Sequence, residues 1–296
     1  MDDLGEFYTY DDLLIEPLRN HGWSVDMVSW RDETVDWNQY EAVIIRSPWD
    51  YQDDPEAFFE VLQQIDQSEA RLENALSVVE WNLRKTYLRD LEAQGVPIVP
   101  TRWPDAFHAD QLGKYFEEFN THQIVLKPVV GANADHTYWI RQADIQDPDL
   151  MKKLVQSFSH RPFMVQPFMP AIVDEGEFSL FYFGDTYSHT ILKTPKSQDF
   201  RVQEEHGGRL HAVSSTPEMQ RISELILDAL PEPTLYARVD LVRDLRGYES
   251  QKDTPQPLPE LYCVMEVELI EPSLYFNMDK GSPELFARVF DQWMSR

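Results

Sequence analysis

The chain has a single cysteine, Cys263, in 296 residues. That excludes an intramolecular disulfide and suits a reducing, cytoplasmic setting. Cys263 sits in the apolar run Leu261-Tyr262-Cys263-Val264-Met265 and reads as a core residue, because a buried thiol behaves as a small hydrophobe. Long apolar runs are missing too, and none approaches the ~18 residues of a membrane span. The N-terminus, Met1-Asp2-Asp3-Leu4-Gly5-Glu6, is acidic and lacks the apolar stretch of a signal peptide. Positive charge is scarce. Lys and Arg number 26 against 52 Asp and Glu, a net charge of −26. Such a surface repels nucleic acid and anionic membranes, so neither is expected as a partner. It repels nucleotides at long range as well, so a nucleotide site here must gather its positive charge locally. There is no internal repeat, no low-complexity tract, and no Ser-His-Asp or Cys-His arrangement for a side-chain nucleophile.

What is present describes a globular protein. Apolar residues make up 42% and there are eight Trp, and the length suits two or three domains. The expected divisions are 1–78, 79–165 and 166–296. In the first, an amphipathic helix over 11–21 places Leu13, Leu14 and Leu18 on one side. Alternation over 23–30 and an apolar run over 42–45 predict strands, and Pro55 opens a helix to residue 65. This alternation predicts a small doubly wound α/β layer. Its usual first strand is not in the chain, so either the fold omits it or the start lies upstream.

Further on, the pattern predicts helices over 83–94, 108–119, 149–158 and 216–230, the last with Ile222, Leu225, Ile226 and Leu230 inward. Strands are expected over 163–168, 178–183, 187–192, 235–242 and 264–269. Gly184-Asp185 turns the hairpin between 183 and 187. Residues 243–260 are rich in charge and proline and read as a solvated excursion. Ser282-Pro283 caps and opens a terminal helix.

The chemistry gathers around residues 123–140. Ile124-Val125-Leu126 is a short buried strand, Lys127 ends it and Pro128 stops the ladder. The small-residue loop Gly131-Ala132-Asn133-Ala134-Asp135 then leads to a return strand. Small residues let backbone N–H groups approach a ligand closely. Alone, this is equally an ordinary hairpin with a solvated lysine, and it is not a Walker loop. Lys85, in Asn82-Leu83-Arg84-Lys85, is by itself a solvated helix residue. The run Glu266-Val267-Glu268-Leu269-Ile270-Glu271-Pro272 carries two acids with period two, hence on one strand face, with Asp240 expected across from them. Three carboxylates on one face repel unless a cation sits among them, which points to a metal; the other reading is a solvated acidic strand. Arg46-Ser47-Pro48-Trp49-Asp50-Tyr51 follows a strand directly. Ligands of open α/β sheets bind at such carboxyl ends, and Arg46 suits a bidentate clamp on a carboxylate.

Two lysines, a small-residue loop and a late acidic strand, in this order, resemble the ATP-grasp superfamily and its glutathione-synthetase-like branch over most of the chain. The Arg46–Tyr51 motif is similar to a subgroup that includes the cycloserine-forming cyclo-ligases. The resemblance implies an α/β (α+β) fold of an N-terminal doubly wound layer, a small lid domain and a C-terminal antiparallel sheet with helices. It implies a ligase that activates a small-molecule carboxylate as an acyl phosphate and joins it to an amine or similar nucleophile, releasing ADP and phosphate. By the same resemblance Lys85, before Gly95-Val96-Pro97-Ile98-Val99-Pro100-Thr101, and Lys127 contact ATP phosphates. Backbone groups of Gln166 and Phe168 read the adenine edge, and Glu177 holds the ribose. Asp240, Glu266 and Glu268 bind Mg²⁺, as two ions, with Mn²⁺ as a substitute. Lys193 and Arg201, the latter before His206-Gly207-Gly208, steady the acyl phosphate. Arg46, Trp49 and Tyr51 meet the substrate. The expected partners are the small-molecule carboxylate and amine substrates, with a homo-oligomer left open. Two departures stand out: the 131–135 loop lacks the family's second glycine, and Phe178-Ser179 follows the ribose acid where some relatives carry a basic residue. The alternatives are a small-molecule kinase and a non-catalytic nucleotide-binding protein on the same fold.

Overall fold

The computed structural model describes residue 5 and residues 8–131, 136–196, 201–246 and 260–296. Three sheets organise it. The first is a parallel pair, β1 (Ala42–Ile44) with β2 (Arg71–Glu73). Among the described residues nothing pairs with the other edge of β1. The second sheet has the order β4-β3-β5, built from β3 (Gln123–Pro128), β4 (Tyr138–Arg141) and β5 (Phe163–Pro167). The third is antiparallel with the order β10-β9-β6-β7-β8. Its strands are β6 (Glu177–Phe183), β7 (Thr186–Thr194), β8 (Arg209–Val213), β9 (Tyr236–Arg243) and β10 (Tyr262–Glu268). The expected α/β fold, with a C-terminal antiparallel sheet, is the one observed.

Helices cover these sheets: α1 (Ile15–Asn20), α2 (Pro55–Asp66), α3 (Leu76–Asn82), α4 (Tyr87–Ala93), α5 (Leu112–Glu118), α6 (Pro148–Phe158), α7 (Ala171–Asp174), α8 (Pro217–Asp228) and α9 (Ser282–Met294). One face of the five-stranded sheet packs Leu180, Tyr182, Val239 and Leu241 against α4 and α8. The other packs Phe181, Phe183 and Tyr236 against α9. Each large apolar side chain buried in this way contributes about 1.5–3 kcal/mol. No described helix is long and apolar enough to cross a membrane.

Several local expectations need correcting. Residues 23–30 are not a strand. Their alternation makes extended backbone, but a strand also needs a partner edge. The indoles of Trp23 and Trp30 bond instead to Asp291 and Asp50 (3.3 and 2.9 Å). The helix expected over 83–94 begins only at Tyr87, as α4, and a break separates it from α3, which ends at Asn82. The cause is visible at the break. Asn82 turns its amide into the sheet, donating to Val267 C=O (2.9 Å) and accepting from Leu269 N–H (3.0 Å). Lys85 N–H leaves the helical ladder for Val129 C=O at 2.8 Å. Leu13 and Leu225 are exposed (44% and 36%), not inward. Ser282 is the first residue of α9 rather than its cap, and its hydroxyl donates to Asp279 C=O at 2.8 Å. Residues 132–135 of the small-residue loop, Asp199 and Phe200 beside Arg201, the His206 side chain and most of the 243–260 excursion lie outside the described residues.

Candidate active site

A cavity opens where the three-stranded sheet, the five-stranded sheet and the Trp49–Tyr51 turn meet. It is lined by every residue singled out from the sequence except Arg46. The sheets explain the convergence. Lys127 ends β3, Glu177 starts β6, Lys193 ends β7, Asp240 lies within β9, and Glu266 and Glu268 end β10. The expected pairing also holds: Asp240 lies opposite Glu266, and Arg238 opposite Glu268.

Much of the charge inside the cavity is paired within the chain itself. Asp240 is 2% exposed and is surrounded by donors. It accepts from the Ser179 hydroxyl, from Arg238 Nη2 (3.0 Å) and from Lys193 Nζ (3.4 Å). Burial opposes its ionisation, but Arg238 and Lys193 outweigh burial and hold its carboxyl down at about 2. Lys193 Nζ also bonds Glu177 at 2.6 Å. Burial alone would depress the lysine, yet Asp240 and Glu177 raise it above its ordinary value. Arg238 bridges Asp240 to Glu268, and Lys85 pairs with Glu266. Burial raises Glu268, and the nearby Asp240 and Glu266 add to that against the pull of Arg238. Burial lowers Lys127, with Glu266 opposing and Lys85 assisting. The repulsion that the sequence assigned to a metal is thus answered by Arg238, Lys193 and Lys85.

Among the described residues no group of three or more His, Cys, Asp or Glu is poised to hold a metal ion. The donor chemistry nevertheless fits one. Glu266 and Glu268 share a face and line the cavity, and carboxylate oxygens are what a hard divalent cation takes.

Two placements differ from expectation. Arg46 is engaged elsewhere: Nε donates to Asp11 (3.1 Å), Nη2 to Pro272 C=O (2.9 Å), and the guanidinium lies 5.2 Å from the Tyr236 ring centroid. It pins a chain segment and does not line the cavity. The backbone of β5 also reads differently. Phe168 N–H already donates to Gln123 C=O at 2.9 Å, and Gln166 faces Val125 two residues back in the same ladder. In an antiparallel pair the bonded positions recur every second residue, so both residues are spent on β3. The opposite edge of β5 pairs Val165 with Arg102, and Pro167 C=O comes next on it. Pro167 and Met169 line the cavity.

Arg238, Glu271 and Ser273 were not assigned roles from the sequence, yet all three line the cavity. Arg238 was findable: it precedes Asp240 by two and so shares its face. Glu271 follows β10, where no periodicity speaks. Burial pushes its carboxyl up to about 7 against a hydrogen bond from Tyr51.

Known proteins similar to this chain identify its family. Residues 1–74 match the family described as D-cycloserine synthetase DcsG, N-terminal domain. Residues 106–245 match prokaryotic glutathione synthetase, ATP-grasp domain. The cycloserine biosynthesis protein DcsG of Streptomyces lavendulae is 30% identical over 294 residues, covering 93% of this chain and 91% of that protein. Among solved structures, D-cycloserine synthetase DcsG superposes with a TM-score of 0.81 at 24% identity, over 97% of this chain and 95% of that one. A RimK domain ATP-grasp protein from Sphaerobacter thermophilus gives 0.67 at 14% identity, over 97% and 96%. The ATP-grasp ligase PsnB gives 0.63 at 14%, over 99% and 97%. The chain belongs to the ATP-grasp superfamily, in its DcsG-like branch. It is accordingly an ATP-dependent carboxylate–amine ligase, of a family that works with ATP and a divalent metal.

Proposed function

We propose that this cavity binds Mg-ATP and a small-molecule acid, phosphorylates the carboxylate, and passes the acyl group to an amine. The observation that carries the reading is the convergence of Lys85, Lys127, Glu177, Lys193, Arg201, Asp240, Glu266 and Glu268, from seven separate stretches of chain, on one cavity. In this reading Lys85 and Lys127 neutralise phosphate oxygens. The adenine edge meets the free side of β5 at Pro167 and Met169, beside Gln166 and Phe168, and Glu177 accepts from the ribose. Glu266 and Glu268, backed by Asp240, hold Mg²⁺ as two ions, or Mn²⁺ in its place. The metal supplies charge neutralisation at the transferring phosphoryl group. Lys193, Arg201 and Arg238 steady the acyl phosphate, where fixed positive charge acts strongest against a developing negative charge. Trp49 and Tyr51 border the acid.

No side-chain nucleophile is needed, because positioning and charge do most of the work of phosphoryl transfer. A cytoplasmic setting fits the use of ATP and the buried free thiol of Cys263. Small amino acids related to cycloserine are the first acids to try, by likeness to DcsG. The test is ADP release from ATP and Mg²⁺ with each acid, with and without an added amine. Release that needs a carboxylate and rises with the amine supports the ligase. Release that is independent of any amine makes the protein a kinase, and a wild type that turns over no acid refutes the reading.

A further inference from the structure

The chain that leaves β10 is held by an unusual run of bonds. Leu269 C=O accepts from Asn74 Nδ2 (2.7 Å), Ile270 C=O from the Tyr236 hydroxyl (2.8 Å), and Glu271 C=O from Trp49 Nε1 (2.9 Å). Pro272 C=O accepts from Arg46 Nη2 (2.9 Å) and Ser273 C=O from Arg238 Nη1 (3.4 Å). Five consecutive carbonyls therefore each receive a side-chain donor from another part of the molecule. Irregular segments ordinarily leave such groups to water. Ordering backbone to this degree costs conformational entropy at every residue, so the segment is a rigid platform.

What the platform presents is Glu271 and Ser273, both lining the cavity. The Glu271 carboxyl accepts a hydrogen bond from the buried Tyr51 hydroxyl. The Ser273 hydroxyl oxygen is buried and has no hydrogen-bond partner among the described residues. The acids of the neighbouring strands each have a bonded cation of the chain, as in Glu177–Lys193, Glu266–Lys85 and Glu268–Arg238. Among the described residues Glu271 has none. The Ser273 hydroxyl, buried without a partner, is costly as it stands, and half-buried Glu271 holds one donor where a carboxylate accepts several, so the two together can take a donor from outside. Arg238 touches both Ser273 C=O and the Asp240–Glu268 carboxylates, which sets the platform beside the phosphoryl end of the cavity.

We infer that Glu271 and Ser273 form the subsite that receives the substrate's amino group, with Trp49, Tyr51 and Arg46 as its positioning residues. This rests on the ligase reading and assigns the part of it that faces the nitrogen. A carboxylate and a hydroxyl oxygen both accept from N–H, and the Glu271 carboxylate repels a second carboxylate. The substrate's acid end is thereby turned toward Arg238, Arg201 and Lys193, and its nitrogen toward the platform.

The test reads binding, not turnover. Saturation-transfer NMR in the presence of ADP and Mg²⁺ compares serine, alanine and 2,3-diaminopropionate with 3-hydroxypropionate and propionate. The wild type should bind the amino acids about tenfold better, the scale of one hydrogen bond to a charged group. Glu271→Gln and Ser273→Ala, both close to isosteric, should each remove most of that preference. Calorimetric ATP affinity should stay within about twofold. Trp49→Phe, which loosens the platform without touching either polar side chain, should weaken the same preference. Absence of amino-acid binding, equal binding of the two sets, or a preference that survives both variants overturns the inference. A Glu271→Gln defect restored by tenfold more Mg²⁺ also overturns it and moves Glu271 to the metal. Loss of the ligase reading would show separately, as a wild type that releases no ADP while these binding differences persist.

Discussion

Asp240 and Glu268 sit in one acid cluster, yet their removal should have very different consequences for stability. Asp240 is 2% exposed and is bonded by Ser179, Arg238 and Lys193. Its carboxyl is held at about 2 instead of the usual 3.8, which corresponds to about 2 kcal/mol in favour of the ionised form. Removing one partner of a buried pair also strands the other charges, at about 3–5 kcal/mol. Asp240→Asn should therefore cost about 3 kcal/mol or more in the ligand-free protein. Glu268 is 30% exposed at its side chain and lies beside Asp240 and Glu266. Glu268→Gln loses the Arg238 pair but relieves repulsion from two acids, so stability should stay within about 1 kcal/mol. Urea unfolding of both variants without nucleotide measures the difference. The extra stability of wild type from Asp240 should be present above pH 4 and disappear as pH falls toward 2, since the folded carboxyl titrates lower than the unfolded one. Both variants should lose turnover, and Glu268→Gln should also lose the stabilisation by Mg-ATP. Equal stability of Asp240→Asn and wild type would refute the view that this acid anchors two cations. Full turnover in Glu268→Gln would refute the assignment of the β10 glutamates to the metal.

Three further outcomes follow from the same structure. Lys127→Ala should weaken ATP by tenfold or more in calorimetry, because a half-buried phosphate loses its counter-charge; unchanged affinity would remove Lys127 from the site. Gly176 has φ +123° and a Cβ there would lie 2.6 Å from Lys193 C=O, so Gly176→Ala should lower the unfolding midpoint, at a cost of about 2–4 kcal/mol, and disturb Glu177 and Lys193 together. His189 is buried against Phe181, ring centroids 4.3 Å apart, and burial depresses its imidazole to about 4; its contribution to stability, at most about 3 kcal/mol, is complete above pH 6.5 and lost as pH falls toward 4, and His189→Asn should flatten that slope.

Much of the site was legible because strands have a fixed period. Glu266 and Glu268 had to share a face, and Asp240 opposite them followed from a hairpin-like return. Lys127 and Lys193 were legible as strand-end lysines. The missing parts share a cause. Arg46 looked like a substrate clamp because it follows a strand, but a strand end fixes only where a side chain starts. Its partners, Asp11 and Pro272, lie 35 and 226 residues away, and no local pattern announces them. The late start of α4 is the same case: propensity favoured a helix from Leu83, and the tertiary hydrogen bonds of Asn82 and Lys85 to Val267, Leu269 and Val129 won. Glu271 and Ser273 follow the last strand in a segment ordered by five distant donors, where neither period applies.

The charge of the cavity explains how an acidic protein can keep a phosphate site. Five basic residues line it, Lys85, Lys127, Lys193, Arg201 and Arg238, together with seven acidic ones. Without ligand, Lys85, Lys193 and Arg238 are held by acids, so the site stores its positive charge in neutral pairs. That avoids the large cost of several unpaired buried cations. It also sets a condition on binding. Phosphate oxygens can take Lys85 and Arg238 only where Glu266 and Glu268 find another cation, or a proton. ATP alone leaves those glutamates facing added negative charge, so its affinity should be far below that of ATP with Mg²⁺. Glu266→Gln, which frees Lys85 without demanding a replacement cation, should narrow that gap by raising the affinity for ATP without metal. Calorimetry with and without a chelator decides it. A variant that binds metal-free ATP no better than wild type would mean that Lys85 is not released to phosphate, and that the pairing with Glu266 persists in the nucleotide complex.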